Sequence, residues 1–279
     1  YAKPCICANF GAMAEVAKGG GCLTIDTSDA EELYGAILTL TKDSLLLEKL
    51  SLEAMSRPIE NWTDYSQHVS LLLNEESNPV NKLGNIYYWV DHTSTYPYNS
   101  GIQRVVRGLA RSLIDLGLNL IPVKWDGERN KFYSPTSLEL QHLALWNGPA
   151  PSGWSEWVEP TSAQAIDWML LPELTSYLPS NHITGLKEYI TNCNLRCAWV
   201  FYDTIPWKMA SIYSPEATDA HVTYMLELNN YELILPISMT SRMDFINFLN
   251  RTRLHTPNLE KRVQSCVLPG EFQGSERIT

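Results

Sequence analysis

Four short stretches of this 279-residue chain carry residue types that could do chemistry at a useful spacing. The first is Ser100-Gly101, followed three residues later by Arg104. The second is Glu173, just after an apolar run; the third is Tyr202-Asp203, closing another; the fourth runs from Ser238 to Arg242. A small-residue turn at a helix start presents backbone N–H groups and the positive dipole end, which favours phosphate or another anion. Arg104, in the first helical turn, would add a positive charge there. Arg107 and Arg111 continue a stripe expected on the solvated face. Asp203 is the carboxylate best placed to orient a hydroxyl, and it reads equally well as a turn residue before Pro206. Ser100, Ser238 and Ser241 read most simply as helix caps.

Other chemistries have no pattern to rest on. Neither G-x-G-x-x-G nor G-x-x-x-x-G-K-S/T occurs. No Ser/His/Asp constellation is legible, and the six histidines lack ligand spacing, so no metal site is expected. The six cysteines include no C-x-x-C pair, and reduced thiols in a cytoplasmic protein are the simplest account. Cys5 and Cys7 alternate in an apolar run that suits buried strand positions. A net charge of -10 argues against non-specific nucleic-acid binding. No apolar run has the length of a membrane span.

These residues need elements to hold them. Residues 86–90 form an aromatic, β-prone run. A polar turn follows, then Ile102, Val105, Val106, Leu109, Leu113 and Leu116 at helical spacing, closed by Gly117. Further strands are expected at 118–123, 166–171, 195–202, 233–237 and 262–268, with helices at 182–191, 215–229 and from Ser238 to Leu249. Strands alternating with helices imply a Rossmann-like α/β domain with a mainly parallel sheet. Ligands bind such sheets beyond the carboxyl ends of the strands, where all four stretches lie. Residues 126–164, rich in Pro, Ser and Trp, resist assignment. Trp146, Trp154 and Trp157 there suit an aromatic-packed insertion better than a sugar platform.

Residues 1–73 read as the tail of another α/β domain: strands near residues 4–8 and 22–25, and helices from Gly11, after Asp29, from Ser44 and from Trp62. Leu33, Ala36, Ile37 and Leu40 mark the apolar side of the second helix. Residues 74–84, NEESNPVNKLG, read as a linker and domain boundary, with the second domain covering 85–279.

Both halves resemble glycosyltransferases of the GT-B fold, family 4, in the mannosyltransferase-like group. In the first half the matching residues are Glu15-Val16, the series Asp26, Asp29, Glu31, Glu32 and Leu33, and Trp62, Asp64 and Tyr65. In the second they are S-G-I-Q-R-V-V-R (100–107), F-Y-D-x-I-P (201–206) and I-S-x-x-S-R (237–242). The resemblance implies a tandem enzyme: the partial C-terminal end of one nucleotide-sugar domain, then the N-terminal, acceptor-side half of a second module. It implies retaining transfer of a sugar from a nucleotide diphosphate, GDP-mannose above all, to a growing polysaccharide, without a cofactor or obligatory metal. Asp203 would be catalytic, and Ser100, Gly101, Arg104, Tyr202, Ser238 and Arg242 would bind substrate. The family's paired E-x7-E glutamates are missing, so the chain is expected to be a piece of a longer polypeptide and inactive alone. The setting implied is cytoplasmic, with peripheral association at the inner membrane face. Two other readings compete: a Rossmann oxidoreductase and a non-catalytic docking segment of a polysaccharide-assembly complex.

Overall fold

The computed structural model describes residues 3–75, 83–160, 166–254 and 258–270. They build two sheets. The smaller pairs β1 (Cys5–Ala8) with β2 (Cys22–Ile25) in parallel, joined by α1 (Gly11–Ala17). Two helices follow, α2 (Ala30–Lys42) and α3 (Ser44–Ser56). Each starts where a carboxylate caps it: Asp29 accepts from the N–H groups of Glu31 and Glu32, and Asp43 from that of Leu46. These caps satisfy N–H groups that have no partner within the helix. The apolar side of α2 is nonetheless open: Ala36 is buried, while Leu33 and Ile37 are exposed. Cys7 is buried as expected, but Cys5 is exposed. The two share a face of β1, and the cover of that face stops short of its first residue.

The larger sheet has the order β5-β4-β3-β6-β7-β8. Its strands are β3 (Leu83–Trp89), β4 (Leu120–Asp126), β5 (Lys131–Tyr133), β6 (Ile166–Leu171), β7 (Arg196–Phe201) and β8 (Leu233–Pro236). All neighbours run parallel except β5, a short antiparallel edge strand inside the stretch that resisted assignment. This is a Rossmann-like α/β architecture. Residues 263–268 run beside β8, with one parallel bridge from Val263 to Ile234, rather than forming the full strand expected there.

Both sheet faces are covered, which is why its strands are apolar at consecutive positions instead of alternating. Tyr87 and Trp89 point to one face, against Leu186 and Ile190 of α7 (Ser180–Asn192), Met225 and Leu228 of α9 (Pro215–Leu228), and Phe245 and Phe248 of α10 (Met239–Arg251). Ile86, Tyr88 and Val90 point to the other, against α4 (Trp62–Glu75) and α5 (Gly101–Asp115). α5 stops at Gly117, whose φ of 79° suits glycine. The N–H groups of Gly117 and Leu118 reach back to the carbonyls of Ile114 (2.8 Å) and Leu113 (3.1 Å), closing the helix.

α4 follows the small unit in sequence but contributes Tyr65, Val69 and Leu73 to the core of the large one. Ser66 and Ser112 hydroxyls meet at 2.7 Å between α4 and α5. Asn74 and Glu75 of the expected linker end α4, Leu83 and Gly84 begin β3, and the residues between lie outside the described ones. Within the insertion, α6 (Ser137–Leu143) starts in a capping box formed by Thr136 and Glu139. Trp154 is buried and Trp157 packs on the core, while Trp146 stays half exposed. Among the described residues no helix is long and apolar enough to cross a membrane.

Gly108 sets how closely α4 approaches α5: a Cβ there would lie 2.6 Å from the Trp62 indole. Gly108→Val is therefore expected to lower the unfolding free energy by roughly 1–3 kcal/mol through overpacking. Urea denaturation checks this, and an unchanged midpoint would mean that α4 is not held against α5.

Candidate functional site

From β3 the chain moves outward to β4 on one side, and the later strand β6 pairs with β3 on the other. The order therefore reverses between β3 and β6. A crevice opens beyond the carboxyl ends of strands at such a point, and ligands of open α/β sheets bind there. The two loops that meet at this point are the one after β3, which starts at Asp91, and the one after β6, which holds Glu173 and Tyr177.

Glu173 ties the two loops together. Its side chain is 1 % exposed. One carboxylate oxygen accepts from the His92 N–H at 2.8 Å, the other from the Thr93 N–H at 2.7 Å. Burial pushes its pKa up to about 7, outweighing these two donors, and the nearby Asp91 carboxylate adds to the rise. Asp91 is itself raised by burial, although the Trp125 N–H and the Tyr177 hydroxyl (3.2 Å) donate to it. Burial also works against the Lys124 ammonium, but its ion pair with Glu139 prevails and its pKa lies above the ordinary value.

The loop itself is cross-braced. Gln103 of α5 contacts His92 Nδ1 at 3.2 Å and accepts from the Ser100 hydroxyl through its own Oε1. Ser100 occupies the N-cap position, yet its side chain caps no backbone N–H group of α5. The helix thus opens at the crevice edge without a side-chain cap. Gly101 does not have a positive φ, and a Cβ on it would meet nothing within 4 Å. Gly101 and exposed Arg104 line a cavity of about 500 Å³ along the flank of α5, with Trp62, Asn99, Trp146 and Asn147 among its other walls.

Arg107 corrects the sequence reading. It was expected on the solvated face with Arg104 and Arg111, and it is 1 % exposed. Its guanidinium donates to Asn99 Oδ1 at 3.0 Å and to the His142 carbonyl at 3.5 Å, and lies 4.7 Å from the Trp146 ring centre. Burial lowers its pKa to about 10, and the Glu173 charge works the other way. The cover comes from α6 and the turn after it, whose fold was not legible.

The other expected residues lie further along the carboxyl edge, after β7 and β8. The Tyr202 hydroxyl is buried and donates to the Pro172 carbonyl at 2.7 Å. Asp203 accepts from the Ile205 N–H at 2.8 Å in a turn, and its carbonyl meets His221 Nε2 at 3.0 Å. Ser238 caps α10 through the Ser241 N–H, and Ser241 donates to the Tyr202 carbonyl at 2.7 Å. Arg242 donates to the Val263 carbonyl at 2.7 Å, holding the segment that runs beside β8. Gly101 and Arg104 are thus brought together at one cavity, while Tyr202, Ser238 and Arg242 are bonded to the protein's own backbone. Asp91 and His92 were not singled out, although their position just past an apolar strand run was the available signal. Among the described residues no group of three or more His, Cys, Asp or Glu could hold a metal ion. No family model, curated protein or solved structure compared with the chain matches it.

Glu173 predicts a pH dependence. Its pKa of about 7 in the fold lies above the ordinary 4.5, so the native state holds a proton that the unfolded chain has released. The stabilisation is complete below the lower value and lost as pH rises through the higher one. Wild-type unfolding free energy should fall by up to about 3 kcal/mol between about pH 5 and pH 8 relative to Glu173→Gln. Parallel pH profiles for the two proteins would show that Glu173 does not titrate in that range.

Proposed function

We propose that residues 85–279 form the acceptor-side half of a retaining GT-B glycosyltransferase. Its reaction moves a sugar, mannose above all, from a nucleotide diphosphate sugar to a growing polysaccharide. Residues 1–73 are read as the end of the nucleotide-sugar domain of another such module, its closing helix α4 laid against the second unit. The reading is supported first by the opening of α5: a helix without a side-chain cap, a glycine with open space above it, and exposed Arg104 beside a cavity. These lie at the carboxyl edge of a parallel sheet, next to the point where strand order reverses.

In this reading the α5 N–H groups face the donor diphosphate, and Arg104 offsets the negative charge that grows on the leaving phosphate. Asp203 accepts an N–H from Ile205 and retains acceptor capacity for a sugar hydroxyl. Tyr202, Ser238 and Arg242 position the 202–203 turn and the segment beside β8 rather than touch substrate. Catalysis is then orientation plus stabilisation of the leaving group. One observation favours the non-catalytic docking reading instead: Phe10, Met13, Tyr34, Leu45 and Leu52 are exposed apolar side chains on the small unit.

Gly101→Val separates these readings. The substitution meets no neighbour and no positive φ, so the melting temperature should hardly move. Transfer from GDP-mannose by the full-length enzyme should fall by about 10²-fold, as on losing a preorganised donor. Lys187→Ala, a surface change on α7, is the control and should leave both unchanged. Normal transfer by folded Gly101→Val would remove the phosphate role of this turn. A titration showing that the protein takes NAD but no nucleotide sugar would favour the oxidoreductase, and binding of neither would favour docking.

A further inference from the structure

Three of the chain's six cysteines share one face of the small sheet. β1 and β2 run parallel, with Cys5 opposite Cys22 and Cys7 opposite Thr24. Opposed residues of a strand pair point to the same side, and so do residues two apart along a strand. The backbone fixes this register: the Cys5 N–H donates to the Gly21 carbonyl at 3.0 Å, one residue before Cys22. Gly21 has a φ of 71°, and its own N–H donates to the Glu53 carboxylate at 3.0 Å. A Cβ on Gly21 would lie 2.7 Å from that of Ala54, so α3 sets where β2 begins.

Spacing selects one pair of thiols. Neighbouring strands lie about 4.8 Å apart, so the Cα atoms of Cys5 and Cys22 fall in the roughly 4.4–6.8 Å window of a disulfide. Cys7 lies two residues further along, which puts its Cα about 8 Å from that of Cys22, beyond bridging without backbone movement. Accessibility follows the same order: Cys5 is exposed, Cys22 half-buried and Cys7 buried. The Cys22 thiol has the Cys7 thiol and the Arg57 guanidinium beside it. Burial raises its pKa, Cys7 adds to the rise, and Arg57 opposes it. Arg57 is held in place by donating to the Val16 carbonyl. Cys5 is therefore the thiol an oxidant reaches first, and Cys22 is the thiol placed to resolve the product.

We propose that Cys5 and Cys22 form a reversible disulfide, a thiol switch that clamps the β1–α1–β2 loop, with glutathione disulfide as the class of oxidant. The Cys5 thiolate attacks one sulfur of glutathione disulfide, forming a mixed disulfide and releasing one glutathione. The Cys22 thiolate then attacks the Cys5 sulfur, breaking the mixed disulfide and releasing the second glutathione. The two thiol protons pass to the two leaving thiolates, so the cysteines lose two electrons as glutathione disulfide gains them. A disulfide with one exposed sulfur is of the labile kind that thiols reduce again. A two-stranded pair is marginal by itself, and a cross-link restricts its unfolded state. The loop so clamped carries Glu15, whose carboxylate holds the first N–H groups of α10. The switch does not depend on what the crevice of the larger sheet binds.

The test is equilibration of the purified chain in glutathione redox buffers, quenching with N-ethylmaleimide, and mass spectrometry of an unreduced tryptic digest. In wild type the peptide ending at Lys18 should be joined to the one ending at Lys42, with one free thiol lost from each. Cys5 and Cys7 share the first peptide, so variants assign the bond: it should persist in Cys7→Ala and vanish in Cys5→Ser and Cys22→Ser. Circular dichroism reports whether each variant folds, and Cys22→Ala takes the place of Cys22→Ser if the latter does not. Closing the bond should raise the melting temperature of the wild type by about 5 °C, and reductant should abolish the rise. A bond that survives Cys5→Ser, or a stable glutathione adduct on Cys5 with no bond to Cys22, would overturn the assignment. So would equal yields of all pairings, or joining to Cys193, Cys197 or Cys266 in place of Cys22. Equal melting temperatures for the closed and open forms would overturn the clamp.

Discussion

A parallel sheet must be covered on both faces, and this constraint decides where polar chemistry can sit in the molecule. The interior positions of β3, β6 and β7 are spent on apolar contact: Ile86, Tyr87, Tyr88, Trp89, Met169, Leu170, Val200 and Phe201 are all fully buried. Side chains that ionise or donate are displaced to the strand ends. The carboxyl ends of β3, β6, β7 and β8 lie along one edge because these strands all run the same way. Asp91, His92, Glu173, Tyr202, Asp203 and Ser238 follow one another along that edge as a consequence of topology, before any function is considered.

Burial at the edge then couples groups that the sequence holds far apart. Glu173 bonds to backbone 80 and 81 residues away, and its charge is felt at Arg107 on α5. Removing one partner from such a network costs more than the network contributes, because it strands the others in a low-dielectric setting. The loop from His92 to Ser100 is therefore fixed from two sides, by Glu173 below and by Gln103 of α5 above. A loop fixed in this way presents the start of α5 in a defined position.

What could be read from the sequence follows the same division. Strands buried on both faces announce themselves as continuous apolar runs, and α5 by its period and its glycine stop. The edge strand β5 has three residues, of which only Phe132 is buried, so its sequence carries no run to detect. Arg107 was misplaced because helical spacing groups it with Arg104 and Arg111, and spacing cannot reveal what covers a face. The cover is the Trp146 turn, held by a local geometry that composition does not encode. The places of Tyr202, Asp203 and Arg242 were legible from strand ends. Their bonds to Pro172, Ile205 and Val263 depend on which backbone groups the fold brings near, and only coordinates supply that.

The starts of the helices sharpen the case for α5. α10 also opens at the carboxyl edge, but its first N–H groups are already taken. Ser238 caps it, and the Glu15 carboxylate accepts from the N–H groups of Met239 and Thr240, both at 2.8 Å. Glu15 of α1 in the small unit thus places a negative charge where the dipole of α10 favours one, and fastens α1 to α10. Ser214 caps α9 in the ordinary way. α7 opens without a side-chain cap, as α5 does, so the absence of a cap does not by itself distinguish a site. The distinction lies in what surrounds the opening: Arg104, an indole held in a strained turn, a buried guanidinium behind it, and space enough for a small ligand. Those four features come from α5 and the insertion, and Gly108 lets Trp62 of α4 lie against α5 beside them.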